Sequence, residues 1–134
     1  MIYLLKMGIL SGLWQIGIEK KNEALSNARK LAKQKGMEMV ISNPCFELWY
    51  LLHFRYTTGF FKDYEAVRKL LTEHIPNYEK ANDVFPILEE YVDVAVRRAK
   101  QLEEYHLKNG NMLPLGITVN PYTEVYHLIE AIVS

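Results

Sequence analysis

A helix-rich α/β domain with a small sheet and flanking helices is what this sequence predicts, on three observations. The β-like runs, at residues 2–7, 13–18, 37–41 and 117–119, are short and few. The longer stretches between them repeat their apolar residues at helical spacing. Finally, Asn-Pro-x-x-Glu occurs twice, as Asn43-Pro44-Cys45-Phe46-Glu47 and as Asn120-Pro121-Tyr122-Thr123-Glu124. Each copy follows a β-like run and leads into an apolar run of helical length.

The elements follow in order. Residues 2–7 and 13–18 read as strands separated by a Gly/Ser turn. The first eighteen residues carry one charge, Lys6. They offer no small-x-small cleavage site, and Lys6 and Gln15 inside the run argue against a membrane span. Residues 21–35 form an amphipathic helix with Ala24, Leu25, Ala28, Leu31 and Ala32 inward and Gly36 as its C-cap. Its other face carries Arg29, Lys30 and Lys33. That face reads first as a solvated surface and second as a phosphate-contacting one.

Residues 37–41 are the next strand. A helix over 44–54 is apolar nearly all round, which predicts burial at the centre of the domain. Thr57-Thr58-Gly59 breaks the chain, and residues 63–73 form a helix buried through Val67, Leu70 and Leu71. Residues 76–85 are polar and irregular. A long helix runs from Pro86 to about Lys108, ended by Gly110, with Leu88, Tyr91, Val92, Ala95, Ala99 and Leu102 as its stripe. The last helix starts at Pro121. No linker interrupts the 134 residues, so they make a single domain, 1–134, with an atypical segment at 1–19.

Sixteen basic and sixteen acidic residues balance to zero, so any nucleic-acid contact must come from a local patch. The single cysteine, Cys45, excludes an intrachain disulfide and fits a reducing, cytoplasmic setting. After a proline it reads as a small buried hydrophobe. His53 reads as a core histidine, and His74, His106 and His127 as surface residues. No His/Cys set has zinc spacing and no Gly-rich phosphate loop is present.

The doubled pentapeptide has a local chemical reading. Asn is a strong N-cap, Pro fits the first helical position, and Glu in the first turn opposes the helix dipole. The repeat is then two helix starts and nothing more, or two starts converging on a cleft whose N–H groups hold an anion such as phosphate. On the second reading Asn43, Asn120 and Thr123 bind the anion, helped by Arg29 and Lys33. Glu47 reads either as a dipole-stabilised carboxylate or as a desolvated one with a chemical role.

The boxes carry a resemblance. Ser42-Asn43-Pro44-Cys45-Phe46-Glu47-Leu48-Trp49, then Leu51-Leu52-His53-Phe54, and later Asn120-Pro121-x-Thr123-x-Val125-x-x-Leu128, resemble the RloB-like family over residues 13–132. The resemblance implies a Toprim-like fold and a protein encoded beside restriction-modification or abortive-infection loci in phage defence. It implies a Mg²⁺-dependent nuclease and an AAA-type ATPase as partner. The family's metal site uses an upstream glutamate and an Asp-x-Asp pair just before the helix that here spans 21–35. In this chain Trp14 is followed by Gln15-Ile16-Gly17-Ile18-Glu19-Lys20-Lys21, with Glu19 the only acid.

On that basis Glu47 and Glu19 are the catalytic candidates, and Glu47 the metal ligand. Mg²⁺ needs several converging oxygens, so a chain truncated or frameshifted at its N-terminal end, and inactive as a nuclease, is the expectation. The alternative is a non-catalytic subunit that binds nucleic acid or the ATPase. A fragment without activity is the third reading, and open strand edges in it would favour a homodimer.

Overall fold

The computed structural model describes residues 2–6, 18–36, 38–78, 84–113, 115 and 119–133. The chain opens with strand β1 (Ile2–Lys6) and continues into helix α1 (Ile18–Gln34) and strand β2 (Glu38–Asn43). β1 and β2 are parallel, pairing Ile2 with Glu38 through to Lys6 with Ser42. A parallel pair needs a crossover, and α1 supplies it. The β-run expected at 13–18 lies outside the described residues, except that Ile18 already belongs to α1. Gly36, at φ 71°, takes the left-handed conformation that ends α1, as its C-cap role requires.

Helix α2 (Glu47–Leu52) follows β2, and α3 (Tyr64–Leu71) begins after a loop. Asp63 caps α3 by accepting the Ala66 N–H at 3.0 Å. The long helix expected from Pro86 is interrupted. Helix α4 (Phe85–Leu88) has the proline in its first turn, a 3₁₀ turn covers Glu89–Tyr91, and α5 (Val92–Lys108) completes it. Strand β3 (Tyr122–Thr123) and helix α6 (Tyr126–Val133) end the chain. β3 adds antiparallel to β2, pairing Ser42 with Thr123 and Asn43 with Tyr122, for a sheet in the order β1-β2-β3. The small sheet with flanking helices is therefore present. Of the β-run expected at 117–119 only Val119 is described, and it lies outside the strands.

Among the described residues, four apolar clusters hold these elements. Leu25 and Ala32 of α1 pack on Met39 and Ile41 of β2, together with Leu115, Val119 and Tyr122. Leu31, expected in that stripe, is instead exposed. Trp49 and Leu52 of α2 meet Ala95, Ala99 and Leu102 of α5, with Val125 and Tyr126. The small alanines let α5 approach closely. On the other side of α2, Leu48 and Leu51 pack with Cys45, Phe61 and Val67, and Leu71 joins Ile75, Tyr78, Val84 and Leu88. α2 is thus buried centrally, as its all-round apolarity predicts. Burying each such Leu or Val side chain is worth about 1.5–3 kcal/mol. Among the described residues no helix is long and apolar enough to cross a membrane.

Candidate functional site

The two Asn-Pro boxes lie side by side. β2 ends at Asn43, and β3 brings Tyr122 alongside it, so the chain preceding Tyr122 runs on past the carboxyl end of β2. Both Asn-Pro bonds, Asn43-Pro44 and Asn120-Pro121, are cis. The helices start later than the cap reading places them. α2 opens at Glu47 behind Phe46, which makes no side-chain cap, and α6 opens at Tyr126.

The asparagines are occupied in another way. Asn43 Nδ2 donates to the Val119 carbonyl at 2.8 Å, tying the two boxes together. Asn120 grips the backbone of Phe61 on both sides: Oδ1 accepts its N–H at 3.1 Å and Nδ2 donates to its carbonyl at 2.8 Å. The helix-cap reading is corrected accordingly. These side chains satisfy backbone groups of neighbouring segments that have no strand partner, which a buried chain requires.

The two glutamates are both buried. Glu47 is 1 % exposed, and Tyr78 donates its hydroxyl to Oε2 at 3.4 Å. Burial, and next the negative charge of Glu47, push the Tyr78 phenol well above its usual range. Glu124 completes the edge of β2. Its N–H donates to the Ile41 carbonyl at 2.8 Å, and its Oε1 accepts the Ile41 N–H at 3.1 Å. The same oxygen accepts from Arg29 Nη2 of α1 at 2.9 Å, and Oε2 accepts the Tyr122 hydroxyl at 2.8 Å. One carboxylate therefore links α1, β2 and β3. Burial first, and then Glu124, raise the Tyr122 phenol far out of its ordinary range, so it stays a donor.

Thr123 is fully buried, and its Oγ1 accepts the Val125 N–H at 3.3 Å. Lys33 is exposed, as are Lys30 on α1 and Lys35 in the turn that follows it. Glu19 falls in the first turn of α1, but its side chain is outside the described residues. The structure thus brings Arg29 and Glu124 together, and sets Asn43 beside the strand that follows Asn120. It leaves Glu47, the first residue of α2, with Tyr78.

Glu47, the candidate Mg²⁺ ligand, is buried against the Tyr78 phenol. No group of three or more His, Cys, Asp and Glu side chains converges among the described residues. Oxygen ligands for Mg²⁺ must close on one point, and Glu47 has a phenol for its neighbour.

One buried histidine beside the second box carries no local signal in sequence. His106, expected at the surface, is buried, and its Nε2 lies 2.6 Å from the Pro121 carbonyl. His53 is buried as expected, with Nδ1 2.9 Å from the Trp49 carbonyl, and desolvation lowers its pKa. Between α5 and α6 an open groove of about 500 Å³ is lined by Lys100, Glu103, Glu104, Tyr126, His127 and Glu130. Glu103 Oε2 accepts the Tyr126 hydroxyl at 2.9 Å, and Lys100 pairs with Glu130 at 2.8 Å. Three carboxylates against one lysine make this groove repel polyanions. On α1, by contrast, Lys30 and Lys33 are exposed.

A comparison with curated proteins and one with solved structures each return no match. A family model described as RloB-like protein matches residues 16–132, which takes in both Asn-Pro boxes and runs from the start of α1 into α6. The chain belongs to the RloB-like family.

Proposed function

We propose that this chain is a defence-associated RloB-like protein that binds nucleic acid through the basic face of α1 and does not itself cut it. One contrast carries the reading. The box glutamates, Glu47 and Glu124, are 1 % and 5 % exposed and bonded to protein groups, whereas Lys30 and Lys33 are exposed on α1. Buried, engaged carboxylates are poorly placed to hold a hydrated Mg²⁺ against a phosphodiester. Exposed lysines on one helix face suit phosphate contacts. Arg29, held by Glu124, fixes the rotation of that face against the sheet.

The parallel β1-α1-β2 crossover supports the Toprim-like expectation. The resemblance places the family's chemistry at an acidic pair just before the helix expected at 21–35, where this chain has Glu19 followed by two lysines. Asn43, Asn120 and Thr123 act in this reading as the frame of the site, and Arg29 and Lys33 as its cationic part.

The test is incubation with plasmid, single-stranded DNA and tRNA in Mg²⁺ or Mn²⁺, with binding and cleavage read on the same samples. Binding that weakens steeply with salt, with no cleavage, is expected. Cleavage that Glu47→Gln or Glu19→Gln abolishes would overturn the reading.

A second reading makes the chain a subunit for the locus ATPase. It is favoured by the exposed Phe85, Ile87 and Tyr91 around α4. Co-purification with that ATPase, lost in Phe85→Asp/Ile87→Asp, is its expected result.

A further inference from the structure

The loop between α2 and α3 does something unusual with two adjacent phenylalanines. Phe61 is buried at 6 % exposure in the cluster of Cys45, Leu48 and Val67, while Phe60 is 74 % exposed. Among the described residues no Phe, Tyr or Trp is more exposed than Phe60.

The backbone that presents Phe60 is tethered on both sides. On one side the Gly59 N–H donates to Thr57 Oγ1 at 3.3 Å. On the other, Asn120 of the second box holds both the N–H and the carbonyl of Phe61. The ring is therefore presented by an organised loop, which lowers the ordering cost of using it.

Its place in the fold adds a second, independent argument. Asn120 sits past the carboxyl end of β2, because β3 runs antiparallel and Tyr122 pairs with Asn43. The loop it grips lies at the same end of the sheet. In α/β sheets with parallel strands, ligands are bound outside the carboxyl ends of the strands. The same loop carries exposed Lys62 two residues on. An exposed aromatic beside a cation is how proteins hold unpaired bases, with stacking on the ring and charge against the backbone.

We infer that Phe60 is a stacking platform for an unpaired base of single-stranded nucleic acid, with Asn120 as the residue that positions it. The inference rests on the nucleic-acid reading above and narrows its ligand to single strands or loops. It also gives the Asn-Pro box a role that neither helix capping nor anion binding supplies. Stacking tolerates every base, so affinity for unpaired stretches with little sequence preference follows.

The test measures the affinity of the full chain for a fluorescent single-stranded 12-mer (about the span of one such site) and for its duplex. The variants are Phe60→Ala, Phe60→Trp and Lys30→Gln/Lys33→Gln. Phe60→Ala is expected to lose about 5- to 150-fold in single-strand affinity and to leave duplex binding nearly unchanged. Phe60→Trp is expected to retain binding, and its indole fluorescence to be quenched by the oligonucleotide. Because Phe60 is exposed, the thermal midpoint of Phe60→Ala should match wild type, which separates lost stacking from lost folding. If wild type binds both nucleic acids and Phe60→Ala binds them equally well, the stacking inference is overturned alone, and the ring is left as a protein contact. If wild type binds neither, the nucleic-acid reading falls and the inference with it.

Discussion

Glu124 is the residue on which most of the site depends. Its carboxylate replaces a strand partner for Ile41, anchors Arg29 and accepts from Tyr122. Glu124→Gln keeps the shape and removes the charge, so Arg29 loses its counter-ion and one amide hydrogen faces a donor. A hydrogen bond to a charged group contributes about 1.5–3 kcal/mol, and Arg29 is partly solvated, so a loss of about 2 kcal/mol is expected in urea unfolding. An unchanged midpoint would show that the contact is incidental. His53 supplies a pH dependence. Desolvation lowers its folded pKa below the ordinary value of 6.5, so below that pH the unfolded chain binds more protons than the folded one. Stability is then complete above pH 6.5 and falls as pH drops below it. His53→Gln should flatten the slope of thermal midpoint against pH between 7.5 and 5.5, and an identical slope would assign the effect to other groups.

At the scale of elements, the boxes show why the same residues can be read in two ways. Asn before Pro satisfies a helix start, but it equally satisfies a strand end that needs an amide to bridge to a neighbouring segment. Which of the two happens depends on contacts 76 residues apart, Asn43 to Val119, and 59 apart, Asn120 to Phe61. No local pattern encodes such contacts, and a two-residue strand such as β3 has too few side chains to show alternation. Helices α1, α3 and α5 were legible because their apolar stripes are long and their ends are marked by Gly36, Asp63 and Gly110. Asp63 offers a clean check of this local chemistry. Asp63→Ala removes the cap on Ala66 and should cost about 1 kcal/mol, lowering the denaturation midpoint without changing its slope. The loop clamp should be costlier to the site than to the fold. Asn120→Ala ought to speed amide exchange at Phe61 while leaving the exchange of α5 unchanged.

At the scale of the whole molecule, charge is separated among the described residues although the sum over the sequence is zero. α1 presents lysines, the groove between α5 and α6 presents glutamates, and the carboxylates of the two boxes are withdrawn into the core. The basic face was legible in the sequence from helical spacing alone. Burial of the box acids was not, since a glutamate in an apolar run can point to either side. The family motif is in this light a scaffold: Asn43 joins the boxes, Asn120 holds the α2–α3 loop, and Glu124 registers α1 on the sheet. The basic face of α1, proposed above to contact nucleic acid, is set against that scaffold by Arg29. The most direct test is the salt dependence of oligonucleotide affinity, compared between wild type and Lys30→Gln/Lys33→Gln. Wild type should lose affinity linearly in log[salt], and the double variant should bind more weakly with a slope smaller by about 1 per lysine. Equal slopes, or binding that salt does not weaken, would contradict a nucleic-acid face on α1.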